Sequence, residues 1–197
     1  MLARVLSLLT VLPLSACASS GGEHPQGEAV PLDPAVFAEW GTETIPLPPG
    51  FAPELPGGSE KLLFAPGWRD AESEEFWSYA FVMWINEPLP GAERLDEMFE
   101  LYYDGLISAV AGERAAEWGG DPATIDVEAQ GGGRFTARAQ FPDAFGDMRP
   151  IDLRFVVDGE AQPGGEGSRL SIQASPQPEG HPIWTTLAGA VLQLQGE

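Results

Sequence analysis

Few side chains in this sequence are of the types that do chemistry. There are two histidines, His24 and His181, one cysteine, Cys17, and one lysine, Lys61, against 30 acidic residues. A Ser-His-Asp arrangement needs a histidine beside its nucleophile, and no G-x-S-x-G elbow occurs. Zinc sites want clustered His and Cys, and neither H-E-x-x-H nor paired C-x-x-C is present. Gly131-Gly132-Gly133 lacks the lysine and flanking pattern of a phosphate loop and reads as a hairpin turn. Carboxylate chemistry stays open, because a glycosidase needs only two carboxyls roughly 5 to 9.5 Å apart. No feature selects a pair, so no catalytic residue, metal ligand or cofactor is assigned.

Charge narrows the partners. With 30 acidic against 10 basic side chains the formal net charge is −20. Affinity for nucleic acid or anionic lipid is built on clustered Lys and Arg that neutralise phosphate, so neither is an expected ligand. The same acidity keeps a crowded surface protein soluble. Arg134 and Arg138, with Arg154, could receive an anionic ligand, but among so many carboxylates they are expected to neutralise neighbours. Trp68, Arg69 and Asp70 follow the Pro66-Gly67 turn between two predicted strands and are the candidate binding loop.

The first residues place the chain in the cell. Arg4 supplies positive charge, Val5 to Leu14 form an apolar run, and Ser15-Ala16 are small, which is the three-part pattern of a secretory signal. The run is interrupted by Pro13 and falls short of the roughly 20 apolar residues a membrane-spanning helix needs. Leu14-Ser15-Ala16-Cys17 resembles the lipobox of bacterial lipoproteins. That resemblance implies cleavage before Cys17, a thioether-linked diacylglycerol on its sulfur and, in many bacteria, a further acyl chain on the new amino group. Two or three chains, each methylene contributing about 0.8 kcal/mol, hold a protein on a membrane. Ala18 is not the aspartate that retains many such lipoproteins in an inner membrane, which implies the periplasmic face of the outer membrane where an organism has two. With Cys17 the only cysteine, the chain forms no disulfide within itself.

Residues 1–16 are thus expected to be a signal peptide and 17–34 a lipidated tether, rich in Ser, Gly, Glu and Pro and lacking apolar periodicity. His24 falls inside it. Residues 35–197 suffice for a single domain. Ile45-Pro-Leu-Pro-Pro-Gly-Phe suits an edge strand, because proline removes a ladder donor. Lys61 to Ala65 reads as a second strand. Glu75 to Ile85 reads as a third, apolar on both faces and therefore central. Its aromatics are expected to be core rather than a ligand platform.

From Ala92 to Ala111, Leu95, Met98, Phe99, Tyr102, Leu106, Ile107 and Val110 recur at helical spacing, with acids mainly on the other face and Gly112 as the stop. Those acids lack calcium-loop spacing and read as a solvated face. Four strands follow at 124–129, 134–141, 151–158 and 169–174, as an antiparallel meander. A final apolar helix runs over 182–195, with His181 before it as a structural residue.

The expected class is α+β, an antiparallel sheet of six to seven strands flanked by two helices in the order βββ-α-ββββ-α. Over residues 40–195 that order is similar to the PsbP-like fold, whose members are mostly adaptors or assembly factors. The resemblance implies binding to an envelope protein or small molecule more than catalysis. The enzymatic alternative is a carboxylate-dependent hydrolase acting on cell-envelope glycans.

Overall fold

The computed structural model describes residues 32–118 and 123–196. The expected signal peptide, Cys17 and most of the expected tether lie outside the described residues. Seven strands, β1 (Gly41–Leu47), β2 (Gly58–Phe64), β3 (Tyr79–Ile85), β4 (Thr124–Gly131), β5 (Arg134–Pro142), β6 (Pro150–Ala161) and β7 (Ser168–Ser175), form one sheet in the order β1-β2-β3-β7-β6-β5-β4. Every pairing is antiparallel. Two meanders, β1 to β3 and β4 to β7, meet at the β3–β7 seam, which makes an α+β fold.

Helices α1 (Ala92–Ala111) and α3 (Ile183–Gly196) pack on opposite faces of the sheet. Under α1 lies the larger core, where its Leu95, Met98, Phe99, Tyr103 and Ile107 meet Phe81, Phe141, Leu153, Phe155 and Ile172 of the sheet. Each such side chain, fully buried, stabilises the fold by about 1.5–3 kcal/mol. On the other face α3 lays Leu187, Ala190, Val191 and Leu194 over Leu63, Ala80 and Val82, joined by Phe37 and Trp40. Leu32 reaches this layer too: a Cβ on Gly189 of α3 would stand 2.7 Å from Leu32 Cδ1. β3 is thus buried on both faces, as its two apolar registers require. α3 contacts β2, β3 and β7. Over β5 and β6 that same face carries Thr136, Arg138, Gln140, Asp152 and Arg154, each exposed or half-buried.

Three differences from the expected elements have physical causes. A third, short helix, α2 (Glu113–Trp118), follows Gly112. Gly112 sits at φ 56° and its amide still donates to the Ser108 carbonyl, so α1 ends there, but the residues after it are helix formers without a proline and the helix restarts. β1 starts at Gly41, with Pro46 on the outer edge, ahead of the proline cluster rather than through it. β3 begins at Tyr79, not Glu75, because Trp77 adopts φ 49° and residues 65–78 run through successive turns. Asp70 Oδ1 and Ser73 Oγ accept the Glu72 and Glu75 amides there, a local alternative to the strand ladder. No described helix is long and apolar enough to cross a membrane.

Candidate functional site

The expected binding loop, Phe64 to Trp77 with Trp68, Arg69 and Asp70, falls on the β2–β3 connection, residues 65–78, which lies at one end of the sheet against the β5–β6 connection, residues 143–149. A buried contact fastens them. Trp77 Nε1 donates to Asp143 Oδ1 at 3.2 Å, and Trp77 also packs on Phe141 and Phe145, with centroids 5.1 and 5.7 Å away. Arg114 of α2 closes the second loop by donating to the carbonyls of Ala144 and Gly146, both at 2.8 Å. Among the described residues the non-glycine positions with positive φ are Trp77 and Met148, one in each loop. A bulky residue held at positive φ is uncommon and concentrates at functional sites.

Trp68, Arg69 and Asp70 do not converge on one point. The Trp68 indole turns inward, stacked on Phe64 at 4.7 Å and edge-on to Trp77 and Phe145 at 6.2 and 5.2 Å. Arg69 is exposed and lies outside this layer, with its guanidinium carbon 4.6 Å from the Trp68 ring centroid and 5.0 Å from that of Phe145. Such stacking holds a guanidinium in place while leaving its in-plane N–H donors for a partner. Asp70 is exposed and its Oδ1 serves its own loop. The loop is rigid: Gly67 donates to Glu75 Oε2 at 2.8 Å, and the Trp77 amide to the Trp68 carbonyl at 2.9 Å.

A groove of about 370 Å³ lined by Arg114, Trp118, Asp147 and Met148 borders the 143–149 loop. Inside it, two 2.8 Å hydrogen bonds from Arg149 hold the exposed Asp147 carboxyl down to about 2. A larger groove of about 630 Å³ crosses α1, bordered by Phe51, Leu101, Gly105 and Ser108 and by two carboxylates, Glu54 and Asp104.

A carboxyl is buried among tyrosines under α1. Glu60 of β2 has no exposed surface, and desolvation pushes its carboxyl up to about 8 despite the Tyr102 hydroxyl, which donates to both its oxygens at 3.2 Å. Tyr79 and Tyr103 share a 2.5 Å hydrogen bond nearby, and burial raises both phenols as well. At neutral pH Glu60 is therefore a carboxylic acid, sealed from any substrate. Its signal in the sequence is alternation: Glu60 shares a face with Leu62, but only once the strand is extended back to Gly58. Phe145 and Asp143 carried no signal, since nothing local ties them to a loop some seventy residues away.

Arg134 pairs with Asp158 at 2.8 Å, as expected of a neutralising residue, whereas among the described residues Arg138 and Arg154 pair with no carboxylate. Gly131, Gly132 and Gly133 turn the β4–β5 hairpin. His181 Nδ1 accepts the Ile183 amide at 3.2 Å and so caps α3, a structural role. Among the described residues no three His, Cys, Asp or Glu side chains gather as a metal site. No family model, curated protein or solved structure matches this chain.

Proposed function

We propose that the chain is exported, cleaved before Cys17 and held by lipid on a bacterial membrane, the periplasmic face of the outer one where the organism has two, and that its domain serves there as a non-catalytic binding or assembly module. The anchor rests on one observation, a sole cysteine standing directly after Leu14-Ser15-Ala16 and an apolar run. The binding surface is the Trp68–Arg69–Phe145 end of the sheet. It is supported by an exposed guanidinium pre-positioned on two rings, since an ordered side chain costs less entropy to engage. The element order expected from the sequence resembles that of the PsbP-like fold, and the adaptor roles of its members accord with binding. Mass spectrometry and detergent partitioning of the native protein beside Cys17→Ser test the anchor. A lipid-sized mass on a peptide beginning at Cys17, lost with partitioning in the variant, is expected; an unlipidated native protein in the aqueous phase rejects it.

The second reading, a carboxylate-dependent hydrolase of envelope glycans, draws support from Glu54 and Asp104 on one groove. Purified protein that releases no sugar from wall glycan, or an unchanged rate in Glu54→Gln, rejects it.

A further inference from the structure

Arginines in this chain are scarce among carboxylates, and most are already engaged. Arg94 holds Glu87 and Glu97, Arg134 holds Asp158, Arg149 holds Asp147 and Arg169 holds Glu160. Arg114 serves two carbonyls and Arg69 two rings. Among the described residues Arg138 and Arg154 are the two arginines with no ion pair, hydrogen bond or ring contact. They are also direct cross-strand partners, Arg138 of β5 opposite Arg154 of β6. Like charges so placed are some 5 Å apart at Cβ and repel. Four residues along the same ladder the arrangement is the reverse, with Arg134 opposite Asp158 and paired to it.

Three further observations bear on the pair. It lies on the sheet face that α3 covers mainly over β2, β3 and β7, and Arg138 is exposed and Arg154 half-buried. Arg154 Nε is buried without a hydrogen-bond partner. Arg169 Nε is in the same state, but the Arg169 guanidinium already has Glu160. Acids stand close in the ladder, Asp126 opposite Arg138 and Asp152 opposite Gln140, yet neither forms an ion pair with the arginines. A buried N–H left unbonded is costly, and an acceptor bound there would relieve that cost.

The geometry points to an oxyanion site: Arg138 and Arg154 together receive a phosphate group, free or carried on a small molecule, on the open β4–β6 face of the sheet. An arginine carries its donors in a planar fork, these two side chains rise from paired positions on adjacent strands, and their two charges match a doubly charged tetrahedral group better than one carboxylate. The site is separate from the Trp68–Arg69 end and independent of the anchor on Cys17.

The test is titration of the detergent-solubilised full chain with inorganic phosphate, and separately with acetate, at constant ionic strength, following the arginine Nε–H NMR signals. Saturable movement of the Arg154 and Arg138 signals by phosphate, lost in Arg138→Gln and in Arg154→Gln but kept in Arg69→Gln, is the expected result. Thermal melts guard against a variant that merely misfolds. Without phosphate, Arg138→Thr removes the repulsion and raises Tm by about 1–3 °C, and in saturating phosphate wild type overtakes it. Linear, unsaturable shifts shared by all variants, or an Arg138→Thr melt whose offset from wild type ignores phosphate, overturn the proposal. Tighter saturation by acetate than by phosphate overturns the phosphate assignment.

Discussion

The Trp77 indole donates to Asp143 across 66 residues of sequence, joining the 65–78 loop to the 143–149 loop inside the protein. Asp143 Oδ1 also accepts the Gly146 amide at 3.1 Å, so one carboxylate orders its own loop and receives the other. Asp143→Ala would leave a buried indole N–H unpaired and is expected to destabilise the domain by about 2–3 kcal/mol. Asn keeps an oxygen at that position and should lose much less. Urea unfolding of both variants, followed by tryptophan fluorescence, checks the order; equal losses would mean that this hydrogen bond is not what fastens the loops.

Arg69 contributes differently. Its guanidinium is exposed over Trp68 and Phe145, and an exposed cation on a ring contributes about 0.5–1 kcal/mol. Arg69→Ala should leave the melting curve nearly unchanged while abolishing cross-linking to any envelope partner held at this end. An Arg69→Ala protein that cross-links like wild type removes this loop from the binding surface.

Gly105 sits in the middle of α1, where propensity alone says alanine would stabilise by about 1 kcal/mol. The packing says the opposite. A Cβ there would lie 2.0 Å from the Phe51 carbonyl oxygen and 2.8 Å from its carbon, both backbone atoms that cannot swing away. Gly105→Ala is therefore expected to cost at least about 2 kcal/mol by denaturant unfolding. A neutral or stabilised variant would show that residues 48–55 do not cross the helix there.

These sites mark where sequence reading stops. Apolar period alone identifies β3 as two-faced and α1 and α3 as amphipathic or buried, because those patterns reflect one element against water. It cannot say that Trp77 leaves the strand, since an aromatic side chain reads the same at φ 49° as in a ladder. Nor can it say that Arg138 faces Arg154 rather than Asp152. That register is set by pairing between strands, and a shift of one residue turns every side chain to the other face. Asp143 lies beyond local patterns for the same reason: it meets Trp77, a distant residue brought close by the fold, whereas alternation marks Glu60 as inward but cannot name Tyr102 as its partner.

Glu60 makes the domain's stability depend on pH in an unusual direction. Its carboxyl is raised from the ordinary glutamate value of 4.5 to about 8, so between those values the folded protein holds a proton that the unfolded chain has released. Folding must then take up a proton, and stability falls as pH rises through this window, by up to about 1.4 kcal/mol per unit. The contribution is intact below pH 4.5 and fully lost above pH 8. Glu60→Gln keeps an acceptor for the Tyr102 hydroxyl and needs no proton. It should match wild type near pH 4 and exceed it by something on the order of 3 kcal/mol at pH 7. Unfolding free energies measured across pH 4–9 give the difference directly. If the gap between variant and wild type stays constant with pH, Glu60 is ionised in the folded protein, and the buried tyrosine cluster must be stabilising its charge instead of excluding it.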